Sequence, residues 1–293
     1  MTLTAKELVW VQDSLGLGAH VISAHRMPTS ATQKDRILAQ TSEGRVSVVL
    51  RRYHDADQLG ADPWYDPAKE AAVLWLLEPE DVPSPRLFAA DIQGEHCCVP
   101  ALLESFEPGE PCWHPRNVDT YLRTAAEVLV RIHDVPPKDV PDYEPYTPAG
   151  KAKPPPWTRD QVMWERVLEI LDEPWPGGPS TFIHRDYHPG NVLAVEDHVS
   201  AVVDWATGAS GPPGIDLARM RQNLIDVGGV EAADEFRELY LDCGGALDAW
   251  HPYWDLLDAV DRILDLNALE DPEAARWAGG FEDHMAGVLS ELR

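Results

Sequence analysis

The chain has no run of eighteen apolar residues, so no ordinary membrane-spanning helix is expected. It also lacks a basic region followed by an apolar stretch at its start, Met1-Thr-Leu-Thr-Ala-Lys-Glu7. This argues against a secretory signal and for a cytoplasmic location. Cysteine is scarce: the four residues Cys97, Cys98, Cys112 and Cys243 show no paired metal-ligand spacing, and reduced thiols are expected. Basic side chains are the largest deficit, with 24 Lys plus Arg against 50 Asp plus Glu and a formal charge of -26. Such a field repels phosphate backbones, which excludes nucleic acid as a natural partner, and it attracts cationic small molecules. No repeat or low-complexity block interrupts the 293 residues, of which 44% are hydrophobic, enough for a sizeable core in one or two domains.

The periodicity changes along the chain. Residues 3–16 read as a helix ending at Gly16 and Gly18. From His20 to Phe106 the pattern is mostly β: Val46, Val48 and Leu50 alternate with Ser47, Val49 and Arg51 after the turn-like Glu43-Gly44. Pro67 opens a helix running to Leu77, and further strands are expected over 86–90 and 96–103. Beyond Pro108-Gly109 the character is helical, beginning with 118–133. The window 135–157 holds eight prolines and is therefore an extended loop. Residues 160–171 form a helix, 192–203 a hairpin, and helices fill most of 215–293. The expected fold is α+β, with a small antiparallel β lobe over 1–106 and a larger, mostly helical lobe over 107–293.

The segment Phe182-Ile-His-Arg-Asp-Tyr-His-Pro-Gly-Asn-Val-Leu193 carries the chemistry. His184, Asp186 and Asn191 form H-x-D-x-x-x-x-N, the spacing in which phosphoryl-transfer enzymes use Asp to receive a hydroxyl proton and Asn to hold magnesium. Pro189-Gly190 turns the Asn side chain back towards the Asp. The apolar runs 192–195 and 199–203, joined by Glu196-Asp197-His198, deliver Asp204 to a strand end. An amide and a carboxylate oxygen suit Mg²⁺, which keeps water and phosphate oxygens as its other ligands.

His184-Arg-Asp-Tyr-His-Pro-Gly-Asn-Val-Leu193, Val203-Asp-Trp205 and Gly211-Pro-Pro-Gly-Ile-Asp-Leu-Ala218 together resemble the aminoglycoside phosphotransferase family. The match is densest over 180–220. The resemblance implies a protein-kinase-like two-lobed fold, with Asp186 as catalytic base, Asn191 and Asp204 as magnesium ligands, and Asp216 as a carboxylate steadying the catalytic loop. It also implies ATP as donor, with GTP as a second candidate. Val48-Val-Leu-Arg51 resembles the strand whose basic residue contacts the donor phosphates, a position the family usually fills with Lys. Alternation puts Arg51 and Arg52 on opposite faces, and Arg51 is favoured. Glu70 resembles the helix residue that pairs with it, and Leu102–Gly109 resembles the hinge that holds adenine. The phosphate-covering loop falls near Met27–Gln33, which has no glycine; Thr29 and Ser30 are its candidate donors. Arg185 stands where the family usually has Gly.

A protein kinase is disfavoured: there is no Gly-x-Gly-x-x-Gly, Asp204 is followed by Trp-Ala, and no Ala-Pro-Glu follows. Two alternatives remain, a nucleotide-binding pseudokinase and a metallohydrolase using His184, Asp186, His188 and Asp204. The expected acceptor is a small hydroxyl compound, cationic by the charge balance, such as an antibiotic or an amine-bearing metabolite. Asp258, Asp261 and Asp265 share one side of a helical pattern, and Asp142, Glu144, Asp160, Glu165 and Glu169 are further carboxylates expected near the acceptor.

Overall fold

The computed structural model describes residues 3–28, 32–55, 57–59, 61–62, 65–147, 151–266 and 272–292, with the side chains of 226 and 262–279 outside the description. The chain divides into two compact units. The first contains Met1–Glu110 together with Leu193–Val195 and Val199–Gly208; the second contains Pro111–Val192, Glu196–His198 and Ala209–Arg293. The first unit thus takes back most of the hairpin that follows the catalytic motif, an excursion that a linear split at 106/107 does not contain.

The first unit is built on an antiparallel sheet in the order β1-β2-β3-β5-β4, from β1 (His20–Arg26), β2 (Gln33–Thr41), β3 (Gly44–Arg52), β4 (Leu87–Asp91) and β5 (Ala101–Ser105). Helix α1 (Ala5–Ser14) starts at a reciprocal cap in which Thr4 Oγ1 accepts from Glu7 N and Glu7 accepts from Thr4 N. Its Trp10 and Val11 join Ile37, Val48, Leu50, Ala101 and Leu103 in one core. Alternation sends Val48 and Leu50 to that core and Val49 and Arg51 to the opposite face. Helix α2 (Pro67–Leu77) begins with Asp66 accepting from Ala68 N and Lys69 N, and it buries Glu70. The expected strand 96–103 is shorter at its start, because the Asp91 carboxylate accepts from the backbone N–H groups of Glu95, His96 and Cys97. Those bonds fold 94–100 into a turn, with Cys98 left-handed at φ 63, and pairing begins only at Ala101.

Strand β6 (Glu110–Pro111) lies beside β8 (Val192–Val195), which pairs with β9 (His198–Val202). Glu196 and Asp197 turn that hairpin with φ of 51 and 65, as a primed two-residue turn requires. In the second unit β7 (Thr181–Ile183) pairs with β10 (Ala209–Gly211). Helix α3 (Val118–His133), capped by Asn117, buries Tyr121, Leu122, Ala125, Val128, Leu129 and Ile132 at helical spacing against α5 (Gly214–Asp242). Helix α5 is interrupted at Gly228-Gly229, where Gly229 has φ 78. Helices α4 (Gln161–Leu171), α6 (Pro252–Leu266) and α7 (Pro272–Glu291) share a core of Trp164, Val167, Leu256, Leu257, Phe281 and Met285. No helix among the described residues is long and apolar enough to cross a membrane.

Candidate active site

The loop after β7 owes its shape to one buried carboxylate. Asp216, in the first turn of α5, accepts from His184 N at 2.8 Å and Arg185 N at 2.6 Å, and its Oδ2 lies 3.2 Å from His133 Nε2. The position near a helix N-terminus favours that negative charge. Tyr187 OH donates to Ala125 O at 2.8 Å and anchors the loop to α3. Arg185 takes the left-handed conformation, with φ 72, a strained state that two bonds to Asp216 hold in place. Its guanidinium stacks 4.0 Å from the Tyr146 ring, faces Tyr143 at 5.2 Å and donates to Glu144 O. Arg185 therefore fastens the proline-rich segment to the loop, and the segment is tied in again where Tyr143 N donates to Ser210 O.

Asp186 follows with its carboxylate surrounded by donors. Oδ1 accepts from Arg219 Nε at 2.9 Å and lies 2.8 Å from Nη2; Oδ2 accepts from Asn191 Nδ2 at 2.9 Å and faces His188 Nε2 at 3.4 Å. Burial alone would raise its pKa, but the His188 contact, the Arg219 guanidinium and the neighbouring imidazoles outweigh this and hold the carboxyl well below its usual range. Asn191 Nδ2 also donates to Asp186 O at 3.0 Å. Both bonds use the amide nitrogen and turn it towards Asp186, which leaves the amide oxygen as the atom suited to a cation. The tight turn between them needs Gly190: a Cβ there would lie 2.6 Å from His188 Cε1.

Arg51 occupies the sheet face opposite the α1 core in the first unit. Its Nη1 donates to Glu70 Oε1 at 2.5 Å, Nη2 to Asp204 Oδ1 at 2.8 Å and Nε to Thr32 Oγ1 at 3.1 Å. Burial works against its charge, but Glu70, Tyr53, Asp204 and Glu104 more than compensate and raise its pKa. Tyr53 OH donates to the other Glu70 oxygen. Arg52, one residue on, points to the α1 side and pairs with Glu7 and Asp35. Asp204 is half-exposed and left-handed, with φ 68, between β9 and the single 3-10 turn Trp205–Thr207. Trp205 Nε1 donates to Val202 O and secures that corner.

The structure therefore gathers Arg51, Glu70 and Asp204 in one unit and Asp186 and Asn191 in the other. Thr29 and Ser30 lie outside the described residues, as does the side chain of Asp265. Asp258 reaches Arg219 Nη1 at 3.5 Å. Asp261 accepts from Thr147 N at 2.8 Å, and burial together with Asp258 raises its pKa to about 6. Both line a small pocket with Tyr143, Tyr146, Arg185, Ile215 and Trp254. The other expected acceptor-side carboxylates have different employment: Asp160 caps α4, Glu165 and Glu169 are exposed with neighbours on the same helix, and Asp142 and Glu144 are exposed. His184 Nδ1 accepts from Asp186 N and His188 Nδ1 from Gly190 N, and among the described residues no three His, Cys, Asp or Glu gather as a metal site.

Sequence reasoning missed Arg219. Its only signal is a position three residues after Asp216, on the same face of the helix.

Similar solved structures include the macrolide 2'-phosphotransferase MphH from Brachybacterium faecium, with 17% identity over 94% of this chain and 97% of that one and a TM-score of 0.61. A putative aminoglycoside phosphotransferase from Ralstonia eutropha JMP134 shares 16% identity over 97% and 95%, with a TM-score of 0.66. A thermostable mutant of aminoglycoside phosphotransferase APH(4)-Ia, solved with ADP and hygromycin B, shares 16% over 96% and 98%, with a TM-score of 0.62. These likenesses establish a shared fold. A search of curated protein sequences finds no match. The family model of the phosphotransferase enzyme family, APH, matches residues 29–253, more than three quarters of the 293, and the chain belongs to that family.

Proposed function

We propose that this protein transfers the γ-phosphate of ATP or GTP to a hydroxyl of a small molecule in a magnesium-dependent reaction. The observation that carries the reading is the ionised Asp186, locked by donors on a loop that also supplies Asn191. Asp186 orients the acceptor hydroxyl and takes its proton. The transition state is loose, so orientation and charge neutralisation are the main requirements. Arg51, kept charged by Glu70, contacts the donor phosphates in a fork that suits phosphate as well as Lys would. Thr29 and Ser30 are proposed as further phosphate donors.

Asn191 and Asp204 are the proposed magnesium ligands. The fit rests on donor chemistry: both offer hard oxygens, and the Asn191 amide nitrogen is already committed to Asp186. When bound, magnesium neutralises phosphate charge. The ADP and hygromycin B complex of the APH(4)-Ia neighbour supports a nucleotide and a small molecule such as an antibiotic as the substrate classes. The formal charge of -26 and the pocket of Asp258 and Asp261 among tyrosines and Trp254 support a cationic acceptor, an antibiotic or an amine-bearing metabolite. A cytoplasmic enzyme fits these substrates. The test is a panel of aminoglycoside, macrolide and amino-alcohol compounds with Mg-ATP or Mg-GTP, read by product mass. A compound gaining one phosphoryl group supports the reading; ADP formation with no phosphorylated acceptor across the panel contradicts it.

A further inference from the structure

Arg219 and Asp216 lie three residues apart on α5 and act on the same loop from one helix face. Asp216 holds its backbone at His184 and Arg185, whereas Arg219 holds its central side chain. Arg219 is itself set in place: its carbonyl accepts from Asn223 Nδ2 at 2.7 Å, and its Nη1 reaches Asp258 Oδ1 on α6 at 3.5 Å. The Arg219, Asp186 and Asp258 side chains are 17%, 22% and 11% exposed, so these charges meet with little water between them.

The two oxygens of Asp186 are unequal. Oδ1 receives two nitrogens of one guanidinium at 2.8 and 2.9 Å. Oδ2 receives Asn191 Nδ2 at 2.9 Å and a long contact from His188 Nε2 at 3.4 Å. Because Gly190 N donates to His188 Nδ1, the proton of a neutral His188 sits on Nε2, facing Asp186. A carboxylate offers about four lone-pair positions, and four donors are directed at them. An incoming hydroxyl must therefore displace one, and the His188 contact is the weakest by distance.

We propose that Arg219 is a positioning residue for the phosphoryl-transfer step. It immobilises Oδ1, so that Oδ2 is the oxygen that meets the acceptor hydroxyl. This rests on the phosphotransferase reading above. In that step the hydroxyl oxygen bonds to phosphorus as the bond from phosphorus to the nucleoside diphosphate breaks, and the hydroxyl proton passes to Asp186 Oδ2. A guanidinium weakens Asp186 as a base, yet the loose transition state requires alignment before proton removal, so orientation outweighs basicity. The third guanidinium nitrogen extends the same restraint to α6 through Asp258.

The test uses the full chain with Arg219→Met and Arg219→Lys. Arg219→Met is expected to lower kcat roughly 10- to 100-fold, the scale usual for groups that orient a reacting one, with acceptor KM and nucleotide Kd within about threefold of wild type. Arg219→Lys restores part of kcat, because one ammonium reaches Oδ1 but cannot make both bonds. A kcat within about twofold of wild type in Arg219→Met overturns the proposal, as does a loss carried wholly by KM. A second arm needs no turnover: chemical denaturation of Arg219→Met, Asp186→Asn and the double variant. Non-additive stabilities support the contact and additive ones overturn it. If the wild type phosphorylates no acceptor, the parent reading falls while this arm still decides whether Arg219 holds Asp186.

Discussion

Asp216→Asn is the sharpest structural perturbation of the loop, because it changes one oxygen to an amide and little else. The carboxylate is fully buried and accepts two backbone N–H groups, at 2.8 and 2.6 Å. An asparagine keeps one acceptor, so one of these N–H groups then faces an NH₂ group. A charge-assisted bond contributes about 1.5–3 kcal/mol, and a buried donor left without a partner costs about 1–3 kcal/mol. A net loss of roughly 2–4 kcal/mol follows, since the remaining bond also loses its charge assistance. For a chain of this size that corresponds to a fall in Tm of roughly 3–7 °C. Arg185 and Asp186 should lose register with it, because the Asp216 carboxylate accepts the N–H of the left-handed Arg185. Calorimetry and a turnover assay on the same preparation test both consequences. A variant with wild-type Tm and wild-type kcat would show that Asp216 does not hold the loop.

The two arginines of β3 should fail differently. Arg51→Ala is expected to raise nucleotide KM and lower kcat, whereas Arg52→Ala strands buried Glu7 and Asp35 and should cost roughly 3–5 kcal/mol of stability, read as Tm; the reverse pattern contradicts the assignment of faces. Asp261 supplies a pH prediction. Its folded carboxyl keeps its proton to about 6 against an ordinary 3.8, so its contribution to stability is complete below pH 3.8 and is lost as pH rises to 6. The loss is worth roughly 3 kcal/mol, and Asp261→Asn should remove it and stabilise the protein at neutral pH; equal pH dependence of unfolding in both proteins would contradict this.

Local rules made much of this architecture readable. Alternation along Val46–Arg52 separates Arg51 from Arg52, the eight prolines of 135–157 exclude a helix, and Asn117 and Asp160 mark the starts of α3 and α4. The limits of 96–103 are not readable from its apolar pattern, because three backbone N–H groups donating to the Asp91 carboxylate decide them. The partners of Arg185 were hidden for a similar reason: Tyr143 and Tyr146 lie about forty residues away in a segment with no periodicity. Arg219 is 33 residues from Asp186, and only the start of α5 at Gly214 brings its face into register with the loop. The motif identifies the groups that react; the contacts that hold them arise from tertiary packing.

The central claim is that Asp186 serves transfer of phosphate to a hydroxyl, and Asp186→Asn tests it most directly. The measurement is single-turnover transfer from Mg-ATP to a confirmed acceptor, with nucleotide binding followed by calorimetry on the same protein. A fall in transfer on the order of 10²–10⁴, with nucleotide affinity nearly unchanged, is expected. Near-normal transfer by Asp186→Asn would contradict it.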